Sequence, residues 1–156
     1  MVTKKKILLI DDEEDFCFFI SKNLENTGGL SVVYATDPDK GIEIARKAMP
    51  DLILLDIRMP KKDGFKVLEI LKEDTKTISI PVIILTALED NQSKLRASWL
   101  YTERYITKPV DHETLRMEIE RILESSAEKR LRTYYENKAW YEKGGSDVSQ
   151  EEDTLN

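Results

Sequence analysis

The chain has a single cysteine, Cys17, among its 156 residues, so it cannot form an internal disulfide bond. That scarcity suits a reducing compartment. Long apolar runs are also missing. The basic start is followed by only four apolar residues, 7–10, too few for a signal peptide, and no stretch approaches the length of a membrane span. We therefore expect a cytoplasmic protein.

The chain also has no excess of basic residues. The formal net charge is −6, which argues against a basic face for non-specific DNA binding. Apolar residues make up 40% of the chain and charged residues 35%, as in a soluble globular protein with a heavily charged surface. At this length we expect one domain with a sizeable core and not two ordinary domains.

What the sequence does contain is a series of short apolar runs rich in leucine and β-branched residues. Most of these runs are nearly continuous rather than alternating, which is typical of strands buried on both faces of a parallel sheet. The runs are residues 6–10, 30–35, 52–55 and 81–85, with a weaker fifth at 103–107.

Segments with helical spacing separate and follow these runs. In the first of them, Phe16, Phe19, Ile20 and Leu24 form one apolar stripe. Strands that alternate with helices predict an α/β fold, a doubly wound five-stranded parallel sheet with five helices on its two faces. The helical segments are residues 14–25, 37–49, 63–72, 90–99 and 111–123.

The end of the chain differs in character from this alternating region. Residues 1–124 form the expected domain, and residues 125–143 have a spacing that could extend the last helix. Residues 144–156 are polar and acidic, so we expect a disordered tail. The residues after Glu124 are too few for a helix-turn-helix domain of ordinary size, so direct DNA binding is not expected of this chain.

Polar side chains stand at the ends of four predicted strands. In a parallel α/β sheet the functional crevice lies beyond the carboxyl ends of the strands, so folding should gather these residues in one place. They are Asp11 and Asp12 after the first strand, Asp56 after the third, Thr86 at the fourth and Lys108 at the fifth.

Three converging carboxylates would repel one another and raise each other's pKa. A hard divalent cation resolves this repulsion, and Mg²⁺ favours a few carboxylate oxygens together with water. A cation beside a carboxylate, a lysine and a hydroxyl can offset the charge of a phosphoryl group in transfer. Asp56 is the best candidate nucleophile, because it stands alone at the tip of the expected central strand.

These residues lie in motifs that resemble a known family. Asp11-Asp12, the run from Asp56 to Gly64, Thr86-Ala87 and the run from Tyr105 to Pro109 are similar to the receiver domain of bacterial two-component response regulators, the CheY-like domain. The resemblance covers about residues 4–124. It implies a flavodoxin-like sheet in the strand order 2-1-3-4-5.

The resemblance implies a role for the acidic residues. Asp56 would accept a phosphoryl group from a histidine kinase or a phosphotransfer protein. Asp11, Asp12, Asp56 and the backbone carbonyl of Arg58 would hold Mg²⁺ beside it. Such a protein catalyses only its own phosphorylation and dephosphorylation, so we do not expect an enzyme that turns over a separate substrate.

The resemblance also implies a switch. Thr86 and Lys108 would bind the phosphoryl oxygens, and the Lys108–Pro109 peptide bond would be cis. As the Thr86 hydroxyl moves toward the phosphoryl group, Tyr105 would turn from an outward to an inward rotamer. The surface of helix 4, strand 5 and helix 5 would then change shape and signal by protein contact, in a monomer or a weak homodimer.

Two positions depart from the common pattern of the family. Arg58 and Leu88 flank the site where side chains influence the lifetime of the phosphoryl group, and a bulky Leu88 could hinder attacking water, which predicts a long-lived phosphoryl group. The connection at residues 98–104 is bulkier and more aromatic than usual, which predicts an unusual choice of partner.

Two other function classes remain open on the residues alone. An aspartate-nucleophile phosphatase of the haloacid-dehalogenase type would share the aspartate, the Mg²⁺ and the lysine. It would need a second aspartate where this chain has Arg58. A flavodoxin-like electron carrier would need a phosphate-binding loop after the first strand, where this chain has Asp11 and Asp12.

Overall fold

The computed structural model describes residues 3–88, 90–100, 102–125 and 127–144. Its five strands are β1 Lys5–Ile10, β2 Leu30–Ala35, β3 Leu52–Leu55, β4 Val82–Thr86 and β5 Arg104–Thr107. Its six helices are α1 Glu14–Glu25, α2 Pro38–Ala48, α3 Gly64–Glu73, α4 Asn91–Trp99, α5 His112–Leu123 and α6 Ala127–Glu142. The five predicted strands and the five predicted helices are all present, and α6 is additional.

The strands form one parallel sheet in the order β2-β1-β3-β4-β5, which confirms the predicted fold. The register pairs Ile10 of β1 with Leu55 of β3, so Asp11 and Asp56 leave neighbouring strands at the same height. The Asp56 N–H donates to the Ile10 carbonyl at 2.9 Å, which ties the two strand ends together. The carboxyl edge of the sheet therefore holds the acidic residues side by side.

Two apolar layers cover the sheet, one on each face. Alternate residues of β1 point to opposite layers: Leu8 and Ile10 belong to the first core cluster, and Ile7 and Leu9 to the second. The first cluster includes side chains of α2, α3 and α4, and the second includes side chains of α1 and α5. The continuous apolar runs in the sequence reflect this burial on both faces.

The predicted apolar stripe of α1 is only partly correct. Ile20 and Leu24 are buried, but Phe19 is 65% exposed, and Cys17 takes the core position. The buried face of α1 contains Cys17, Ile20, Ser21 and Leu24, a row of three- and four-residue steps from which Phe19 is rotated away. The spacing in the sequence is compatible with a buried Phe19 or a buried Cys17. The angle at which α1 packs on the sheet buries Cys17 and exposes Phe19.

Gly64 brings the start of α3 against the end of β3. A Cβ atom at this position would lie 2.4 Å from the Asp56 carbonyl oxygen and 2.4 Å from the Ile57 Cα, so only glycine fits. The Gly64 N–H donates to the Ile57 carbonyl at 2.9 Å. This close approach fixes the loop that follows Asp56.

The segment after α5 forms a separate helix rather than an extension of α5. Helix α5 ends at Leu123 and α6 begins at Ala127. The half-buried Leu131 and Tyr134 line a small crevice together with Pro81, at the amino end of the sheet. The predicted acidic tail lies outside the described residues, apart from Gly144. Among the described helices, none has the length and apolar character that crossing a bilayer requires.

Candidate functional site

The structure brings the three predicted carboxylates together at the carboxyl edge of the sheet. One carboxylate oxygen from each of Asp11, Asp12 and Asp56 lies within 4.8 Å of the other two. Asp11 is fully buried and Asp56 is 3% exposed, whereas Asp12 faces solvent. The cluster is thus open on one side, where a small ligand can approach.

Local backbone donors orient the two buried carboxylates. The Glu13 N–H donates to Asp11 Oδ1 at 2.9 Å, and the Arg58 N–H donates to Asp56 Oδ1 at 3.0 Å. Each bond closes a two-residue turn directly after a strand, an arrangement that aspartate adopts readily. These bonds leave the second oxygen of each carboxylate available to other partners.

Lys108 reaches those second oxygens from the end of β5. Its Nζ donates to Asp11 Oδ2 at 2.7 Å and lies 3.6 Å from Asp56 Oδ2. The Lys108–Pro109 peptide bond is cis, as predicted, and the Lys108 N–H donates to the Thr86 carbonyl at 2.8 Å. The lysine side chain is only 11% exposed, so this ion pair is largely shielded from water.

The electrostatics of the cluster favour an added cation. Burial raises the pKa of Asp11 to about 6, even though Lys108 acts in the opposite direction and the Asp56 charge adds a smaller increase. Burial acts to lower the pKa of Lys108, but the Asp11 and Asp56 carboxylates outweigh it, so the pKa of the lysine is raised. The single positive charge of Lys108 therefore does not neutralise the negative charge of the buried carboxylates.

The donor set fits a hard divalent ion such as Mg²⁺. Three carboxylates supply oxygen ligands, and the open side next to the exposed Asp12 leaves room for water ligands. The backbone carbonyl of Arg58, the fourth predicted ligand, follows Asp56 in the same loop, and its role in metal binding stays a prediction.

The two predicted switch residues lie on adjacent strands, β4 and β5. Thr86 is fully buried, and its Oγ1 accepts from the Leu88 N–H at 3.4 Å. The Tyr105 hydroxyl donates to the Leu88 carbonyl, and its half-buried ring packs against the first core cluster. Tyr105 therefore packs on the body of the domain, and the change of its rotamer on phosphorylation stays a prediction.

Phe16 contributes to the site, although the sequence pattern placed it only on the apolar stripe of α1. The Lys108 Nζ lies over its ring, 3.9 Å from the ring centroid. Phe16 is half-buried and packs against the second core cluster. No sequence signal could have revealed this contact, because Phe16 and Lys108 are far apart in the chain and meet only in the folded protein.

Comparison with known proteins identifies this arrangement. The sequence matches the family described as "Response regulator receiver domain" over residues 7–120. The chain belongs to the response regulator receiver domain family. The CheY-like resemblance is confirmed.

Curated relatives differ in how much of their own length the match covers. Protein PilH of Pseudomonas aeruginosa is 36% identical over 118 residues, which cover 76% of this chain and 97% of that protein. The DNA-binding dual master transcriptional regulator RpaA of Synechocystis is 40% identical over 118 residues, but these cover only 48% of that protein. The match likewise spans about half the length of two further curated relatives, PhoP of Bacillus subtilis and the ycf27 protein of Guillardia theta.

A solved structure supports the same fold. The chemotaxis protein CheY4 of Vibrio cholerae aligns with this receiver domain at a TM-score of 0.72 and 25% identity. The alignment covers 77% of this chain and 99% of that protein.

Proposed function

We propose that Asp56 of this receiver domain accepts a phosphoryl group from the phosphohistidine of a histidine kinase or a phosphotransfer protein. The observation that carries the proposal is the position of the Asp56 carboxylate, 3.6 Å from Lys108 and clustered with Asp11 and Asp12. Bound Mg²⁺ would offset negative charge on the transferred group. The side chains of Asp56, Lys108 and Thr86 carry out the other steps.

In this reaction a carboxylate oxygen of Asp56 forms a bond to phosphorus while the phosphorus–nitrogen bond of the donor breaks. The electron pair of that bond leaves with the imidazole, which takes up a proton. Lys108 exchanges part of its contact with Asp11 for an equatorial phosphoryl oxygen, and the Thr86 hydroxyl donates to another. The product is an acyl phosphate on Asp56.

In this proposal, signalling begins when the Thr86 hydroxyl moves toward the phosphoryl group. Thr86 now accepts from the Leu88 N–H, and Tyr105 donates to the Leu88 carbonyl, so both switch residues share one loop residue. Movement of Thr86 toward a phosphoryl oxygen releases the Leu88 N–H and shifts the contact of Tyr105. The equilibrium between two conformations of the surface formed by α4, β5 and α5 then shifts.

Output by protein contact through this surface is part of the proposal. The described residues contain the receiver sheet and α6 and no DNA-binding domain. A monomer or a weak homodimer formed by the α4, β5 and α5 surface fits this role. We further propose that the domain turns over no separate substrate, because its acyl phosphate forms and decays on its own Asp56.

The test is incubation of the purified protein with phosphoramidate, a small donor with a phosphorus–nitrogen bond, followed by intact mass measurement. Wild type with Mg²⁺ should gain one phosphoryl group, whereas wild type with a chelator and the Asp56→Asn variant with Mg²⁺ should gain none. Equal labelling of Asp56→Asn would contradict the proposal. Steady release of product from a generic phosphate ester would instead support the phosphatase alternative.

A further inference from the structure

The ammonium group of Lys108 is held from two directions. Its Nζ donates to Asp11 Oδ2 at 2.7 Å on one side, and the ring of Phe16 lies under it, 3.9 Å from Nζ to ring centroid, on another. The face of an aromatic ring carries negative potential and attracts a cation, and the attraction grows when water is excluded. With 11% of the lysine side chain exposed, little water competes for this ammonium group.

The ring itself is firmly placed. Phe16 lies in the first turn of α1, three residues after Glu13, whose N–H orients Asp11. Its half-buried side chain packs against the second core cluster, so it has little freedom to follow the lysine. A fixed ring beneath a flexible four-carbon side chain restricts where the ammonium group can go.

We propose that Phe16 is a positioning residue, whose ring face holds the Lys108 ammonium group at the height where a phosphoryl oxygen arrives. This inference rests on the proposed phosphorylation of Asp56. Without the ring, Lys108 keeps its ion pair with Asp11 but samples positions farther from the 3.6 Å approach to Asp56 Oδ2. Transfer then slows because the positive charge is no longer pre-placed.

The contact has a spectroscopic signature that is independent of phosphorylation. Protons above an aromatic ring resonate upfield, so the ε-methylene group of Lys108 should stand apart from those of other lysines in a proton–carbon correlation spectrum. Loss of one resonance in Lys108→Met assigns it. The upfield position should disappear in Phe16→Leu, which retains an apolar side chain, and persist in Phe16→Tyr, which retains a ring face.

The functional readout is the rate of phosphorylation by phosphoramidate with saturating Mg²⁺. We expect Phe16→Leu to be slower than wild type by about 3- to 10-fold, and Phe16→Tyr to be close to wild type. Phe18 provides the matched control. It lies on the same helix, is 50% exposed and has Lys22 rather than Lys108 near its ring, so Phe18→Leu should leave the rate unchanged.

Each result decides between defined alternatives. A wild-type rate in Phe16→Leu overturns the inference. Equal slowing of Phe16→Leu and Phe16→Tyr also overturns it, because a packing role alone would then explain the loss. If wild type takes up no phosphoryl group, the proposed function fails, while the ε-methylene resonance still reports whether the ring holds Lys108.

Discussion

Replacement of Asp11 by asparagine tests the electrostatics of the site separately from phosphoryl transfer. Burial raises the pKa of Asp11 from its ordinary value of 3.8 to about 6. The folded protein therefore binds this proton more tightly than the unfolded chain does. The resulting stability is complete below about pH 4 and is lost as the pH rises through about 6. A shift of roughly two units corresponds to about 3 kcal/mol lost at pH 7.

Asparagine preserves the shape of the side chain but cannot ionise. Without divalent cations, Asp11→Asn should have a larger free energy of unfolding than wild type at pH 7, by about 1–3 kcal/mol. The lower part of that range applies if the asparagine amide fits its buried surroundings less well than the protonated carboxyl group does, since the 2.7 Å contact with Lys108 already acts in the pKa of Asp11. The difference between the two proteins should shrink steadily as the pH falls toward about 4.

The assay is urea unfolding followed by circular dichroism at several pH values with a chelator present, since a single domain of this size is expected to unfold in two states. The comparison with Asp11→Asn cancels carboxyl groups such as Asp37 and Asp111, whose pKa values are lowered by backbone hydrogen bonds. Added Mg²⁺ should stabilise wild type more than the variant. A difference that does not change with pH would refute the argument from burial.

Three further predictions address stability and phosphoryl lifetime. Gly64→Ala should lower the free energy of unfolding by about 2–3 kcal/mol, because its Cβ would meet the backbone of Asp56, whereas Gly29→Ala, with open space around it, should be nearly neutral in thermal unfolding. Leu88→Ala should shorten the phosphoryl lifetime severalfold in a decay assay by intact mass, and an unchanged lifetime would remove Leu88 as a barrier to water. A chain ended after Ser125 loses α6 and should lose only about 2 kcal/mol in urea unfolding, because the described side chains of α6 are exposed or only half-buried.

The fold was predictable because burial on both sheet faces leaves a direct record in the sequence. The runs in β1, β3 and β4 are continuously apolar, and each of these strands is buried along most or all of its length. The rule that parallel strands present their carboxyl ends together then placed Asp11 beside Asp56, as the strand register confirms. Those two regularities place the acidic residues of the site at one edge of the sheet.

The features that the sequence did not predict depend on how elements dock. The exposure of Phe19 follows from the angle at which α1 meets the sheet, and the ring of Phe16 under Lys108 follows from the reach of the lysine side chain to the first turn of α1. Within the connection at residues 98–104, Tyr101 and the side chains of Ser98 and Trp99 lie outside the described part of the chain, and the unusual choice of partner stays a prediction.

The central claim, that Asp56 is the phosphoryl acceptor, is tested most directly by locating the phosphoryl group in the labelled protein. Wild type treated with phosphoramidate and Mg²⁺ would be digested under mild conditions and its peptides mapped by tandem mass spectrometry. The account predicts a single modified residue, Asp56. A phosphoryl group on Asp11, on Asp12 or on His112, with Asp56 unmodified, would contradict it.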